Sequence, residues 1–195
     1  MNTRPSNGRF QHGISLIETL ATLSIAAILA GMAMPGFNSL LMSNRATVLS
    51  NNLLTAMYMA RAEAVKRNTA VTFCKSNDSS SCSGSWSDGW ILFSDHDGDR
   101  RLDADDGDEL ISVYQLVSLD FGIDWNGFRS DNFIRFSPQG FIYSNNGTFT
   151  LCPADENSRY ARAVIINRLG RARISKDNDG DGIHEDGYGR PIDCT

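Results

Sequence analysis

Residues 14–34 read ISLIETLATLSIAAILAGMAM, and this stretch decides how the rest of the chain is organised. Its only charged side chain is Glu18, and most of its other residues are apolar. An α-helix rises about 1.5 Å per residue, so about 20 apolar residues cross the hydrocarbon core of a bilayer. The stretch therefore predicts one membrane-spanning helix over residues 14–35.

The residues before this stretch are basic. Arg4, Arg9 and His12 precede it, and residues 1–13 contain no acidic side chain. Positive charge beside a spanning helix favours the cytoplasmic side of a membrane. We therefore expect a single-pass protein with a cytoplasmic N-terminus, and export of everything after residue 35.

The junction before the helix matches a known signal. The sequence GISLIETLATLSIAAILAGMAMP begins at Gly13 and resembles the prepilin signal of type IV pilins and pseudopilins. In that family a membrane peptidase cuts after the glycine, and the new N-terminus is methylated. The resemblance implies a leader of residues 1–13, cleavage and methylation at Gly13 and Ile14, and a prepilin peptidase as partner. The family usually has Phe where Ile14 stands, and it has Glu at the fifth mature position, which is Glu18 here.

Glu18 has a physical rationale of its own. A carboxylate inside a bilayer costs several kcal/mol unless it is paired or neutral, so its presence there indicates a function. In a filament its partner would be the free amine of Ile14 on a neighbouring subunit, which fixes the axial register between subunits. The alternative is a Glu18 that stays protonated, or reaches the headgroups, in a plain anchor helix.

The helical pattern resumes after Pro35 and Gly36, a pair that predicts a break or kink. Beyond them, apolar residues recur at spacings near three and four, which predicts an amphipathic helix over residues 36–67 with one face on a core. These residues are Phe37, Leu40, Leu41, Leu49, Leu53, Leu54, Met57, Ala60 and Ala64. We expect one long helix from about Ile14 to Arg67.

After Asn68 the pattern changes to short runs rich in Val, Ile, Phe and Tyr with turn residues between them, which is typical of antiparallel strands. The runs are residues 69–76, 89–95, 109–121, 132–138, 147–153, 160–167 and 171–175. The predicted fold class is α+β. A long N-terminal helix, membrane-spanning in its first half and amphipathic in its second, packs on a mostly antiparallel, pilin-like β domain of residues 68–195.

All four cysteines, Cys74, Cys82, Cys152 and Cys194, follow the apolar stretch. They form no CxxC pair, and an even count in an exported, loop-rich domain indicates two disulfides. Three pairings are open. We favour Cys74 with Cys82, which closes a short Ser/Gly-rich loop, and Cys152 with Cys194, which ties down the C-terminus. The alternative is four free buried thiols.

The globular part carries a second resemblance. The stretches ARAEAVKRNTAVTFC, DGWILFSDHDGDRRLDADDGDELI, IRFSPQGF, TFTLCP and LGRARI occur in an order similar to the GspH/FimT family of minor pilins and minor pseudopilins. The resemblance implies a subunit that helps to initiate or cap a type IV pilus or a type II secretion pseudopilus. It also implies other pilins or pseudopilins as partners, an inner-membrane anchor, a periplasmic domain and a place in an extracellular filament.

Three alternatives stand beside this interpretation. Some FimT-like members take part in DNA uptake, so one alternative is a DNA-binding minor pilin. A second is a secretion component that contacts exported proteins, and a third is a single-pass membrane protein that never polymerises. An enzyme is not expected, because the chain has no nucleophile elbow, phosphate loop or HExxH motif, and no cofactor is required.

Two acidic loops are candidate calcium sites, because alternating Asp oxygens with a Gly at the sharp turn are what a calcium loop requires. The C-terminal loop, DNDGDGIHED, offers Asp177, Asp179, Asp181, Glu185 and Asp186. It matches the first six positions of an EF-hand loop but has Tyr188 at the twelfth. The earlier loop, DHDGDRRLDADD over residues 95–106, has Arg100 where the glycine belongs. The alternative for both is a pair of solvated turns.

A basic strip precedes the C-terminal loop, although the net charge of the chain is −5. Six basic residues occur between Ser158 and Lys176 without an acidic one, and they are Arg159, Arg162, Arg168, Arg171, Arg173 and Lys176. Gly170, Arg171 and Arg173 form a motif that resembles the GRxR motif linked to DNA binding in FimT-like pilins. On an extended segment the two arginines project to the same side and can each contact a phosphate. The alternative is a hairpin turn at Gly170 with arginines paired to nearby Asp residues.

Overall fold

The computed structural model describes residues 13–115, 120–128, 132–143 and 146–195, without the side chains of residues 33–35. The basic residues Arg4, Arg9 and His12 of the predicted leader lie outside the described residues. The chain divides into two compact units, residues 1–41 and residues 42–195, each of which is considered by itself.

Helix α1 spans Leu16–Arg67 and contains 52 residues. A backbone hydrogen bond of 3.1 Å from the Thr19 amide to the Ser15 carbonyl closes its first turn. At the other end, Asn68 has a φ of 52°, the left-handed conformation that often terminates a helix and that Asn tolerates. The prediction at Pro35 and Gly36 was a break or a kink; the helix runs through both residues, so a break is wrong and a kink stays a prediction. Proline has a helical φ and removes one donor, which apolar helices tolerate.

Eight strands follow the helix: β1 Val71–Lys75, β2 Gly89–Ser94, β3 Leu110–Gln115, β4 Phe121–Gly127, β5 Phe133–Phe136, β6 Gly147–Pro153, β7 Arg162–Ile166 and β8 Ala172–Ile174. They form two four-stranded sheets, with strand orders β3-β2-β1-β5 and β4-β6-β7-β8. All the paired strands are antiparallel. The predicted class, one long N-terminal helix with antiparallel sheets, is therefore confirmed.

The structure corrects one predicted strand. The run 109–121 was expected to be continuous, but β3 ends at Gln115 and β4 begins at Phe121, with residues 116–119 outside the described part. In β4 the side chains of Phe121, Ile123 and Trp125 are buried, whereas those between them are not. Gly122, Asp124 and Asn126 are poor strand formers, so composition hid an alternation that burial on one face stabilises.

One hydrophobic core joins the second half of α1 to both sheets. The buried helix residues are Ala46, Leu49, Ser50, Leu53, Ala56, Met57, Ala60 and Ala64, spaced three and four apart. Phe37 and Leu40 were expected on this face but are 63% and 57% exposed. The core-facing residues are instead often Ala, which allows the helix backbone to lie close to the strands.

Aromatic rings connect the two sheets inside this core. Trp86 stacks on Phe73 of β1 at 5.1 Å and meets the edge of Phe149 of β6 at 4.9 Å. Such pairs add about 0.5–1.5 kcal/mol beyond the burial of their area. The two sheets therefore form one folded body with residues 42–67.

Two disulfides close the chain on itself. Cys74 is joined to Cys82, eight residues away, and Cys152 is joined to Cys194, 42 residues away. The first bridge retains a surface loop after β1. The second attaches the C-terminal residues to β6, beside the buried side chain of Ile192.

Candidate functional site

The first candidate site is the apolar start of α1, in the unit of residues 1–41. Its large side chains are solvent-exposed, for example Leu16 at 79% and Ile17 at 72%. The helix is long and apolar enough to cross a membrane by length and composition. A continuous apolar surface of this size needs lipid or other proteins to cover it.

Glu18 is the acidic residue in the first turn of α1 and is exposed among these apolar side chains. Ser15 immediately precedes the helix, and Glu18 follows it by three residues, which is the spacing of a capping box. A carboxylate here also complements the positive end of the helix dipole. Glu18 thus has a local stabilising role available as well as the intersubunit role predicted from the sequence.

The second candidate site is the pair Arg171 and Arg173, at the start of the edge strand β8 of the second sheet. Ala172 is buried, whereas Arg171 and Arg173 on either side of it are exposed. The alternation places both guanidinium groups on the side away from the core. The Tyr58 hydroxyl of α1 donates a hydrogen bond of 2.9 Å to the Ala172 carbonyl, which holds this edge strand on the helix.

Gly170 is buried and has a structural role in the turn before β8. Its φ is 69°, and its amide donates to the Asn167 carbonyl at 2.9 Å. A Cβ at this position would lie 2.3 Å from the Gly140 carbonyl oxygen. Gly170 therefore has a structural role in the turn before Arg171, and its part in DNA binding stays a prediction.

The rest of the basic strip divides into exposed members and one partly buried member. Arg159, Arg168 and Lys176 are exposed. Arg162 instead donates to the Ala161 carbonyl at 2.7 Å, and burial lowers the pKa of its guanidinium. Within the described part of the chain, neither Arg171 nor Arg173 makes an ion pair with the neighbouring aspartates.

Backbone hydrogen bonds hold the first carboxylate of the C-terminal acidic loop. The amides of Gly180 and Gly182 donate to the two oxygens of Asp177 at 2.7 and 2.9 Å. The bond from Gly180 is the main reason that the pKa of Asp177 lies below its usual value. Carboxylate oxygens of Asp177, Asp179 and Glu185 lie within 4.8 Å of one another.

The structure does not bring all five predicted ligands of this loop together. Asp186 accepts hydrogen bonds from the Arg190 guanidinium at 2.8 and 3.0 Å, so the positive charge of Arg190 already neutralises this carboxylate. Asp181 accepts the Ile183 amide at 2.7 Å and is absent from the cluster. Glu185 accepts the side-chain amide of Asn178 at 2.6 Å.

The earlier acidic loop connects β2 to β3 and contains a second cluster, in which oxygens of Asp95, Asp97 and Asp99 lie within 4.8 Å of one another. Asp95 is fully buried, accepts the Thr72 hydroxyl at 2.5 Å, and pairs with Arg135 at 3.3 Å. No pattern in the sequence pointed to Arg135, which reaches the loop from β5. It also left Asp108 outside the predicted loop, although its DGDE context is as acidic as the rest.

Two family models match this chain. The model of the prokaryotic N-terminal methylation motif matches residues 8–34, which include Gly13, Ile14 and Glu18. The model described as type II transport protein GspH matches residues 49–170. No curated protein matches the chain in sequence.

Solved structures share the fold. The type IV minor pilin FimU of Pseudomonas aeruginosa, in space group P21, has a TM-score of 0.54 at 15% identity and covers 78% of this chain and 96% of its own. A second crystal form of FimU, in space group P65, gives 0.51 at 14% identity, with 76% and 99% coverage. The minor pseudopilin EpsH of Vibrio cholerae gives 0.48 at 12% identity, with 66% and 94% coverage.

A long N-terminal helix with an apolar start, a methylation motif and antiparallel sheets define a type IV pilin-like protein. The GspH model covers more than half of the chain, and the chain therefore belongs to the GspH family. The family is that of the type II transport protein GspH, and its fold is shared with a type IV minor pilin. This family is structural and not enzymatic, as the sequence predicted.

Proposed function

We propose that this chain is a low-copy subunit that helps to initiate or cap a type IV pilus or a type II secretion pseudopilus. A prepilin peptidase removes residues 1–13, and Ile14 becomes the methylated N-terminus. The apolar helix anchors the chain in the inner membrane with its N-terminus cytoplasmic and residues 42–195 in the periplasm. The helix then leaves the lipid and packs among the helices of other pilins.

The exposed apolar surface of residues 14–32 carries this proposal. Leu23, Ile28 and Leu29 are 66%, 60% and 62% exposed, and these residues recur around the helix. A surface that is apolar all round suits lipid first and neighbouring helices later, because both exclude water from it. The methylation motif over residues 8–34 is consistent with this order of events.

In this proposal, Glu18 fixes the axial position of the subunit relative to its neighbour during assembly. The carboxylate is unfavourable in hydrocarbon and is stabilised when it meets the Ile14 amine of a neighbouring subunit. Only one axial offset between two helices brings these groups together. A subunit with the pair formed is therefore held at a fixed height, whether it starts the filament or caps it.

The test compares Glu18→Val with Thr19→Val in the full chain expressed in its native cells. We expect both variants to be exported and to form their disulfides, but only Glu18→Val to be depleted from the filament or pseudopilus fraction. Thr19→Val is the matched control, because it removes a neighbouring polar group without removing charge. Wild-type levels of Glu18→Val in that fraction would contradict the register role.

A second candidate function is DNA binding by the same subunit, and the exposed arginines of β8 favour it. Arg171 and Arg173 project from one side of an edge strand, and no described carboxylate neutralises them. Guanidinium groups so presented can each bind a backbone phosphate. Such contacts would hold DNA with little sequence preference.

A further inference from the structure

An open groove lies on the outer face of the second sheet, between strands β4 and β6 and the C-terminal residues. Its larger part has a volume of about 680 Å³. A second part of about 550 Å³ shares Asn126, Thr150 and Asp193 with the first, so the two parts form one continuous groove. Ligand pockets usually have volumes of about 300–1,000 Å³, so the groove has room for several rings of a chain-like ligand.

The floor of the groove consists of polar side chains that the fold leaves available. Antiparallel pairing places Asp124 opposite Thr150 and Asn126 opposite Thr148. Phe149, between the two threonines, is buried in the core, so the threonines point to the outer face. Within the described part of the chain, no hydrogen bond engages the side chains of Asn126, Thr148 or Thr150. Amides and hydroxyls both donate and accept, so the floor suits ligand groups that also do both.

The opposite wall of the groove is a turn that is held on the sheet. The Asp186 amide donates to the Arg190 carbonyl at 2.8 Å, and the Arg190 guanidinium donates to the Asp186 carboxylate at 2.8 and 3.0 Å. A Cβ at Gly187 would lie 3.4 Å from Oγ1 of Thr148, so the turn lies directly on β6. Ile192, just beyond the turn, is buried. A wall that is fixed in advance loses little conformational entropy when a ligand binds.

Two exposed aromatic rings border the groove. Tyr188, in the turn, is 85% exposed, and Phe128, directly after β4, is 72% exposed. The Arg190 guanidinium lies 5.2 Å from the centre of the Tyr188 ring and supports it. In the described part of the chain, neither ring belongs to a hydrophobic core cluster. Flat apolar rings beside polar groups suit a ligand that has apolar faces and a polar edge.

We propose that the groove binds a chain of uncharged sugar residues. A sugar ring has C–H groups on its faces, which pack on Tyr188 and Phe128, and hydroxyl groups around its edge. The side chains of Asn126, Thr148 and Thr150 supply hydrogen-bond partners for these hydroxyls, which both donate and accept. The groove is open along its length, so it accommodates a segment of a polymer.

The charges of the groove disfavour anionic ligands. Among the described residues that line it, Arg190 is the only basic one, and Asp186 neutralises its charge. Asp124 and Asp193 add negative charge, which repels a phosphate or a uronic acid. The exposed arginines near β8 lie two strands away from β6 in the sheet, so the groove is separate from the proposed DNA site.

The experiment is saturation-transfer NMR on the full chain in a polyoxyethylene detergent, which has no sugar headgroup to compete with the probes. The neutral probes are cellohexaose and chitohexaose, the charged probes are the hexamer of galacturonic acid and hexalysine, and each is titrated into the millimolar range. The assay uses the purified chain alone, so its outcome is independent of whether the chain initiates or caps a filament.

The variants are Tyr188→Ala, Tyr188→Phe and Asn126→Ala, with Tyr143→Ala as the matched control. Tyr143 is also an exposed tyrosine, at 57%, and the Arg135 guanidinium lies 5.6 Å from its ring centre, but it does not line the groove. A circular dichroism melt of each variant verifies that the fold persists.

We expect at least one neutral hexasaccharide to bind and the galacturonic acid hexamer not to bind. Tyr188→Ala should raise the dissociation constant about tenfold, because the sugar loses its stacking surface. Asn126→Ala should also weaken binding, whereas Tyr188→Phe and Tyr143→Ala should retain it. Absence of binding by both neutral hexasaccharides overturns the proposal, as does equal loss in Tyr143→Ala. Preferential binding of hexalysine also overturns it, since the groove then belongs to a cationic peptide.

Discussion

At the scale of residues, the proposed DNA binding depends on the side chains of Arg171 and Arg173. Arg171→Gln with Arg173→Gln should weaken DNA binding, because binding by phosphate contacts depends on released counterions. With two to four contacts on duplex DNA, we expect a log–log salt slope of about −2 to −4 for the wild type and a shallower slope for the variant. The measurement is fluorescence anisotropy of a labelled duplex with the full chain in detergent.

The control for this prediction is Arg45→Gln with Lys66→Gln, which removes the same charge from exposed positions of α1. It should leave affinity and slope close to those of the wild type. Equal behaviour of all three proteins would show that Arg171 and Arg173 are structural. Calcium should raise the affinity for DNA only if a cation also occupies the adjacent C-terminal loop. The titration is therefore repeated with a chelator, which removes that cation.

Individual residues also mark the limit of sequence analysis. The exposure of Arg171 and Arg173 followed from the alternation of side chains along a strand, which is a local property. The burial of Gly170 against Gly140 did not, because that contact joins two loops that are distant in sequence. Asp108 was missed for the same reason, since only folding removes its carboxylate from water.

At the scale of elements, the two disulfides should contribute unequally to stability. In the chain-entropy model, Cys152–Cys194 closes a 42-residue separation and Cys74–Cys82 an eight-residue one, which corresponds to about 4 and about 2.5 kcal/mol. The variant Cys152→Ala with Cys194→Ala should therefore unfold at a clearly lower denaturant concentration than the wild type. Unfolding at the wild-type concentration would mean that this bridge does not constrain the unfolded chain.

Helices and strands were predictable where the apolar residues recur with one clear spacing. Helix α1 and most strands followed from apolar spacing. The cysteine pairing in the structure is the favoured one, which closes a short loop and ties down the C-terminus. Strand β4 was missed because Gly122, Asp124 and Asn126 disfavour strands in isolation. Its pairing with β6 supplies the hydrogen bonds and the buried face that local preference lacks.

At the scale of the whole molecule, one chain combines a surface that must be kept from water with a domain that is compatible with water. Residues 14–32 present an apolar surface that requires lipid or other helices, whereas residues 42–195 form a water-compatible fold with its own core. The apolar surface comes first along the chain, because the methylation motif precedes the GspH match. In the proposed function, the membrane-anchored subunit later enters a filament and uses both surfaces in turn.

The most direct test of this account is the intact mass of the chain in filaments or pseudopili sheared from its native cells. We predict a species that begins at Ile14, carries an N-terminal methyl group and contains two disulfides. In a strain without prepilin peptidase, the chain should retain residues 1–13 and be absent from this fraction. A chain that retains residues 1–13 in peptidase-active cells, and stays in the membrane without entering filaments, would contradict the central claim.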